Sequence, residues 1–280
     1  MDLRNVSVPV RLNNLTIEID VYKKRALISA FFLLFGSSVI YADNHLCPIV
    51  GYGESIRVLE VIDGESFTLV DGVRVRIIGI EAPKEDNKYP ERSQPGAEES
   101  KLFLQKLIKP GDVVNLFFDK RNQDRYGRTL AHVRLQNKTN IAASILQNGQ
   151  AQALVLPPNL KYWQCYQDIE QKAQKDSVGI WRFPFYGSKS TDKLTKNISG
   201  NFRLHGKITQ RKSSNRYFWY GLDDKIWLGV KKNDLNYFPN YYFDDFIGET
   251  VDVRGWVYFS HNSFRMRIRH PQQITKLQPH

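Results

Sequence analysis

Two Asp-Gly steps, Asp63-Gly64 and Asp71-Gly72, punctuate an alternating apolar run between Ser55 and Ile80 and constrain the fold more tightly than any other feature. Ile56, Val58 and Val61 precede the first step, Phe67 and Leu69 lie between the two, and Val73, Val75 and Ile77 follow the second. Alternation with period two gives each strand one apolar face, and Asp-Gly accepts the positive φ of tight hairpin turns, so the segment predicts a three-stranded meander. Pro95-Gly96-Ala97 opens a helical stretch to Ile108, which Lys109-Pro110-Gly111 stops. Strands over 113–118 and 129–135 follow, then a short helix over 140–147 closed by Gly149 and a longer one over 160–178 closed by Gly179.

Beyond Trp181 the pattern changes. Residues 184–199, with Gly187-Ser188-Lys189-Ser190-Thr191, read as a linker, and residues 200–280 read as strands only. Five candidates, over 202–208, 216–222, 226–230, 250–259 and 264–269, fit a small barrel of the OB type. No internal repeat shows at a fixed period. A chain of 280 residues with 41% hydrophobic content can fill two such cores, which excludes a disordered or collagen-like chain. Forty Lys and Arg against 29 Asp and Glu leave +11, a balance that favours polyanionic partners.

Tyr22-Lys23-Lys24-Arg25 stands before an apolar run that ends at Ala42, the pattern of a secretory signal cleaved after Ala42. The rival is an uncleaved membrane anchor, although Gly36-Ser37-Ser38 interrupts the run and it falls short of the roughly 20 residues that cross a bilayer. Residues 1 to 21 leave open an unusual extension or a misplaced start codon. Export to the periplasm or medium would let the only two cysteines, Cys47 and Cys165, form a bridge, with loop closure worth roughly 4 kcal/mol; the alternative is two thiols. Neither cysteine sits in a C-x-x-C pair, so zinc-ribbon and thioredoxin-like readings fall away.

Three signatures stand in order in the first block: Val61-Ile62-Asp63-Gly64-Glu65-Ser66, Arg76-Ile77-Ile78-Gly79-Ile80-Glu81-Ala82-Pro83 and Asp124-Arg125-Tyr126-Gly127-Arg128. Together with the closing Gly179-Ile180-Trp181, they make residues 53–183 resemble the staphylococcal nuclease (thermonuclease-like) family. The resemblance implies an α+β fold, a five-stranded OB barrel with three helices. It also implies cleavage of DNA or RNA phosphodiesters with a calcium ion held by carboxylates, two arginines on the phosphate and a glutamate that activates water. Carried over by position, Arg76 and Arg128 match the catalytic arginines, Glu65 and Glu81 the metal ligands, and Arg125 and Tyr126 stand where a phosphate would be bound.

The chain departs from that family at three places. Glu65 and Glu81 stand where aspartates are usual, a change calcium tolerates because its coordination is flexible. Lys84 stands where the family has its catalytic glutamate, and an ammonium there opposes metal binding, so the calcium site is weakened. Glu85 is the candidate for a displaced base. Ala153-Leu154-Val155-Leu156 lack the tyrosines on which the family stacks a base.

In the second block, Arg265, Arg267 and Arg269 alternate with Phe264, Met266 and Ile268, which puts three guanidiniums on one strand face, either as a nucleic-acid contact or as a solvated surface. Residues 200–280 hold 13 Lys and Arg against 7 Asp and Glu, a net +6, over half of the chain's excess. Three functions remain in view. The chain is an exported metal-dependent nuclease, a catalytically inactive nucleic-acid-binding or protein-interaction module on the nuclease fold, or an envelope scaffold. The arginine pair and the charge favour the first two, and Lys84 separates them.

Overall fold

The computed structural model of the chain describes residues 7–12, 15–20, 46–195, 199–239 and 243–277. Met1–Asn44 and His45–His280 are separate compact units. In the first, β1 (Ser7–Leu12) and β2 (Leu15–Asp20) pair antiparallel, with Ser7 opposite Asp20. The basic-apolar segment over 22–42 and its cleavage position lie outside the described residues. Among those that are described, no helix is long and apolar enough to cross a membrane.

The second unit opens with the expected meander. β3 (Glu54–Asp63), β4 (Ser66–Leu69) and β5 (Arg74–Ile77) turn at the two Asp-Gly steps, and β6 (Ile80–Glu81) follows. Gly79 between β5 and β6 has φ +94°, and a Cβ there would lie 2.3 Å from the Tyr166 ring, so only glycine lets the chain turn at this point. α1 (Ala97–Leu107) crosses to β7 (Val113–Phe117) and β8 (Thr129–Leu135), and β8 closes the barrel by running parallel to β5. α2 (Ile141–Gln147), β9 (Gln152–Ala153) and α3 (Trp163–Lys175) complete the first block. Around the closed barrel the order is β3-β4-β5-β8-β7. Phe67, Val75, Ile77, Leu104 and Val133 are among its fully buried side chains. A disulfide joins Cys47 to Cys165 on α3, with Cα atoms 5.8 Å apart.

Of the segment read as a linker, residues 184–195 are built into the structure. Tyr186 is buried and donates from its hydroxyl to the Pro95 carbonyl at 2.7 Å, and β10 (Lys189–Ser190) lies parallel to the first strand of the second block. That block forms from β11 (Gly200–Ser213), β12 (Tyr217–Leu222), β13 (Ile226–Lys231), β14 (Thr250–Ser260), β15 (Ser263–Ile268) and β16 (Ile274–Lys276). The long β11 pairs with β14 through its first half and with β12 through its second. β13 runs parallel to β15, and β15 returns to β14. Five strands therefore pair in a ring, β11-β12-β13-β15-β14, the same order and the same single parallel pair as the first barrel. The second ring encloses its own core, with Leu204, Leu228, Val253 and Met266 at its centre.

The two cores meet through polar contacts. Arg254 Nη1 lies 2.7 Å from Glu170 Oε2 of α3, and Glu170 Oε1 accepts from the Ala153 amide at 2.7 Å. Arg269 donates to the Pro157 carbonyl at 2.9 Å, and His270 packs edge-on against Trp163 at 4.6 Å. The Glu170 side chain is 2% exposed, so its charge is uncompensated once Arg254 is gone. We expect Arg254→Met to cost about 3–5 kcal/mol in urea unfolding and Arg254→Met/Glu170→Met to recover most of it. The separation of 118 residues between the bridged cysteines gives a second expectation. Cys47→Ser/Cys165→Ser should lose about 4–5 kcal/mol, read from the same denaturation curves.

Candidate functional site

Arg76 sits on a central barrel strand, opposite Ser66 of β4 on one side and Leu130 of β8 on the other. The Asp63-Gly64 turn delivers Glu65 beside it, with the Glu65 amide donating to Asp63 Oδ1 at 2.9 Å. The Gly79 turn brings Glu81 back from the other side. Arg76 Nε is 3.2 Å from Glu65 Oε1, and its Nη2 is 2.5 Å from Glu81 Oε2. Glu65 Oε2 accepts from the Ala82 amide at 2.8 Å.

Lys84 completes the cluster. Its Nζ lies 2.5 Å from Glu65 Oε1 and 3.6 Å from Glu81 Oε1, so the ammonium sits between the two carboxylates. Two acids and two bases then sum to zero. Burial opposes ionisation of Glu65, but the Arg76 guanidinium and the Lys84 ammonium outweigh it and hold the carboxyl below its usual range. Burial and the neighbouring Glu65 charge raise Glu81 against the pull of the same two cations. Burial works against the charge on Arg76, and the two glutamates overcome it, so its proton is held more tightly than usual.

The donor set does not fit a calcium ion as it stands. Both Glu65 oxygens and both Glu81 oxygens already have partners, Glu81 Oε1 also accepting from Asn201 Nδ2 of the second barrel at 3.2 Å. Among the described residues no group of three or more His, Cys, Asp or Glu is placed to hold a metal. Glu85, the candidate for a displaced base, pairs instead with Lys101 of α1 at 3.3 Å. The following residue, Asp86, caps the next turn by accepting from the Lys88 and Tyr89 amides, which fixes the loop away from the cluster.

Arg128 lies just before β8. In the parallel register, Thr129 stands beside Val75, so Arg128 falls beside Arg74, and alternation puts Arg74, Arg76 and Arg128 on one barrel face. Asp124 Oδ2 holds Arg128 Nε at 2.8 Å. Arg125 donates to the Tyr126 hydroxyl at 2.6 Å and lies 4.8 Å from that ring's centre, while the ring is 68% exposed. Arg74, Gln123, Tyr126 and Arg128 line an open cleft of about 530 Å³. Arg74 and Asn201 were missed from the sequence. The alternation that places Arg76 also signals Arg74, whereas Asn201 reaches Glu81 from 120 residues away and has no local signal.

Of the three arginines on β15 and beyond, the structure separates what alternation grouped. Arg265 lies over the Trp219 ring at 4.9 Å and Arg267 over Tyr217 at 5.6 Å. Arg269 turns to the first barrel, bonding the Pro157 carbonyl, and lies 3.7 Å from Asp234.

Comparison with known proteins gives a consistent picture. The model of the family described as "Staphylococcal nuclease homologue" matches residues 74–183. The chain is 36% identical over 132 residues to the thermonuclease of Staphylococcus intermedius, covering 46% of this chain and 77% of that protein. It is 34% identical over 131 residues to the thermonuclease of Staphylococcus hyicus, covering 46% and 76%. It is 32% identical over 127 residues to the endonuclease YncB of Bacillus subtilis (strain 168), covering 43% and 58%.

The Lys84 contacts generate a direct test. At an effective dielectric near 20, a unit charge about 4 Å away is worth roughly 4 kcal/mol before solvent screening. Lys84→Glu reverses that charge beside two carboxylates. Calorimetry should show calcium binding at least tenfold tighter in the variant than in the unaltered chain. Equal affinities would mean that Lys84 does not govern the site.

Proposed function

We propose, because this chain belongs to the staphylococcal nuclease homologue family, that it binds nucleic acid through phosphodiesters lying in the Arg74 and Arg128 cleft, with its hydrolytic centre silenced by Lys84 and Arg76 engaged by Glu65, Glu81 and the Ile77 carbonyl. The observation that carries this reading is the ammonium between Glu65 and Glu81, 2.5 and 3.6 Å from their oxygens. It supplies a positive charge where a hard cation would need the same carboxylates, while leaving the arginine cleft free for phosphate. Guanidinium and tyrosine hydroxyl donors around that cleft suit a phosphate's acceptor oxygens. The protein works outside the cytosol, a reading supported by the pattern over 22–42 and by the Cys47–Cys165 bridge.

Metal-dependent hydrolysis is the second reading, and one observation favours it: the Lys84 side chain is 42% exposed and has room to leave the carboxylates.

The deciding experiment incubates plasmid and single-stranded DNA and RNA with the chain in calcium, magnesium, manganese or chelator, alongside binding assays. The first reading expects retained binding in chelator, no cutting under any condition, and at least tenfold weaker binding in Arg74→Gln/Arg128→Gln. Cutting by the unaltered chain that chelator abolishes would establish the second reading. Lys84→Glu should gain calcium-dependent cutting under the first reading.

A further inference from the structure

β12, β13 and β15 are neighbours in the second ring, and their inward residues fill its core. Their outward residues form rows set by the register. Trp219 stands opposite Gly229, which stands beside Arg267, while Gly221 stands opposite Trp227, which stands beside Arg265. A Cβ on Gly229 would lie 2.5 Å from the Trp219 ring, so that ring lies down on the sheet over the glycine. Tyr217 lies next to it, with ring centres 5.1 Å apart. Cations roof these rings. Arg265 covers Trp219, Arg267 covers Tyr217, and Lys212 lies 4.3 Å from the centre of Trp227. The Nε groups of Arg265 and Arg267 have no hydrogen-bond acceptor among the described residues. Attraction to the rings holds these guanidiniums, together with one Asp234 contact to Arg267 at 3.4 Å.

At the edge of this face is a cleft of about 350 Å³, lined by Asn215, Arg216, Tyr217, Lys231, Asn233 and Arg267. Three of the six are cations, two are amides, one is an aromatic ring, and none is an acid. That lining complements a polyanion that also carries flat apolar surfaces.

We infer that this face of the second barrel binds single-stranded nucleic acid, with Arg216, Lys231 and Arg267 on successive phosphates and an unpaired base stacked on the Arg265 guanidinium that roofs Trp219. The ligand is a single strand because a duplex keeps its bases stacked on one another and offers no base face to the guanidinium that covers the tryptophan. The inference rests on the nucleic-acid reading above and deepens it by adding a second site and naming the strand type.

The experiment measures anisotropy of labelled oligo(dT), oligo(U), a duplex of equal length and inorganic polyphosphate on the intact chain, at several salt concentrations. Single strands should bind at least tenfold tighter than the duplex, and polyphosphate should compete poorly. Arg216→Gln/Lys231→Gln should lower affinity at least tenfold and reduce the single-strand salt slope by about 1.4, at about 0.7 per phosphate contact. Trp219→Leu keeps an apolar cover over Gly229 but removes the π face, and it should weaken single-strand binding at least fivefold with little change in the salt slope. Thermal unfolding of each variant checks that the barrel is intact.

Arg74→Gln/Arg128→Gln separates the two proposals. If it removes all binding while folded variants of the second barrel change nothing, the inference fails and the first-barrel reading stands. Loss only in the second-barrel variants keeps the inference and overturns the first-barrel site. Loss in neither overturns both. Equal affinity for duplex and single strand, or full competition by polyphosphate, overturns the stacking role.

Discussion

A carboxylate that is 1% exposed, Glu65, is the constraint on which the first barrel's working face depends. Removing such a charge from water costs several kcal/mol unless hydrogen bonds and opposite charges surround it. Arg76 from the central strand, Lys84 from the following loop and the Ala82 amide meet that demand together. Each partner therefore has a fixed place, and the loop from Gly79 to Lys84 is drawn onto β5 by charge as well as by chain connectivity. The same arrangement sets the chemistry. With Glu81 included the cluster is neutral, and a divalent ion entering it would have to displace Lys84 or leave two positive charges in excess.

The second barrel repeats the first in strand order, although no repeat is visible in the sequence. Strand pairing asks only for apolar residues on alternate positions and turns that fit, so two chains with unrelated residues can close the same ring. What differs is what each ring presents. The first buries an acidic and basic cluster beside a cleft, and the second lays Trp219 flat over Gly229 and roofs Trp219 and Tyr217 with arginines. Between them, Arg254 reaches buried Glu170 and Asn201 reaches Glu81, so the second barrel takes part in the charge balance of the first. A charge cluster that takes a hydrogen bond from a neighbouring barrel is sensitive to anything that shifts that barrel.

Legibility in the sequence followed the range of the forces involved. Asp-Gly steps and period-two alternation are local, and the meander and the five later strands appear where they were read. The helix stop at Gly149 is local too, whereas α3 covers only Trp163–Lys175 of the 160–178 expected and ends four residues before Gly179. β10 and β16, of two and three residues, are edge additions whose pairing depends on a sheet already formed, and 184–199 read as a linker for the same reason. The site was legible in its residue types and not in its contacts. Lys84 stood out as an ammonium opposed to metal, yet only the fold shows it bonded to both glutamates. Glu85 looked able to replace the missing glutamate until the loop geometry gave it to Lys101. Arg269 shares its strand phase with Arg265 and Arg267, and a long-range contact with Pro157 removes it from their face.

Linking two sites on one chain changes what each must contribute. On the proposed reading, the Arg74 and Arg128 cleft, whose one aromatic is the exposed Tyr126, would hold a strand mainly by electrostatics and weaken with salt. On the same reading, the arginine-roofed tryptophan of the second barrel would add a stacking component that depends little on salt. Once one site holds a strand, the other meets it at the effective concentration of an intramolecular event, in the millimolar range for short connections. Two sites that are individually modest would then together retain a strand that neither holds for long alone. The ordered segment over 184–195, with Tyr186 anchored on Pro95, favours this over a freely jointed pair, because a fixed connection spends no further chain entropy when the second contact forms.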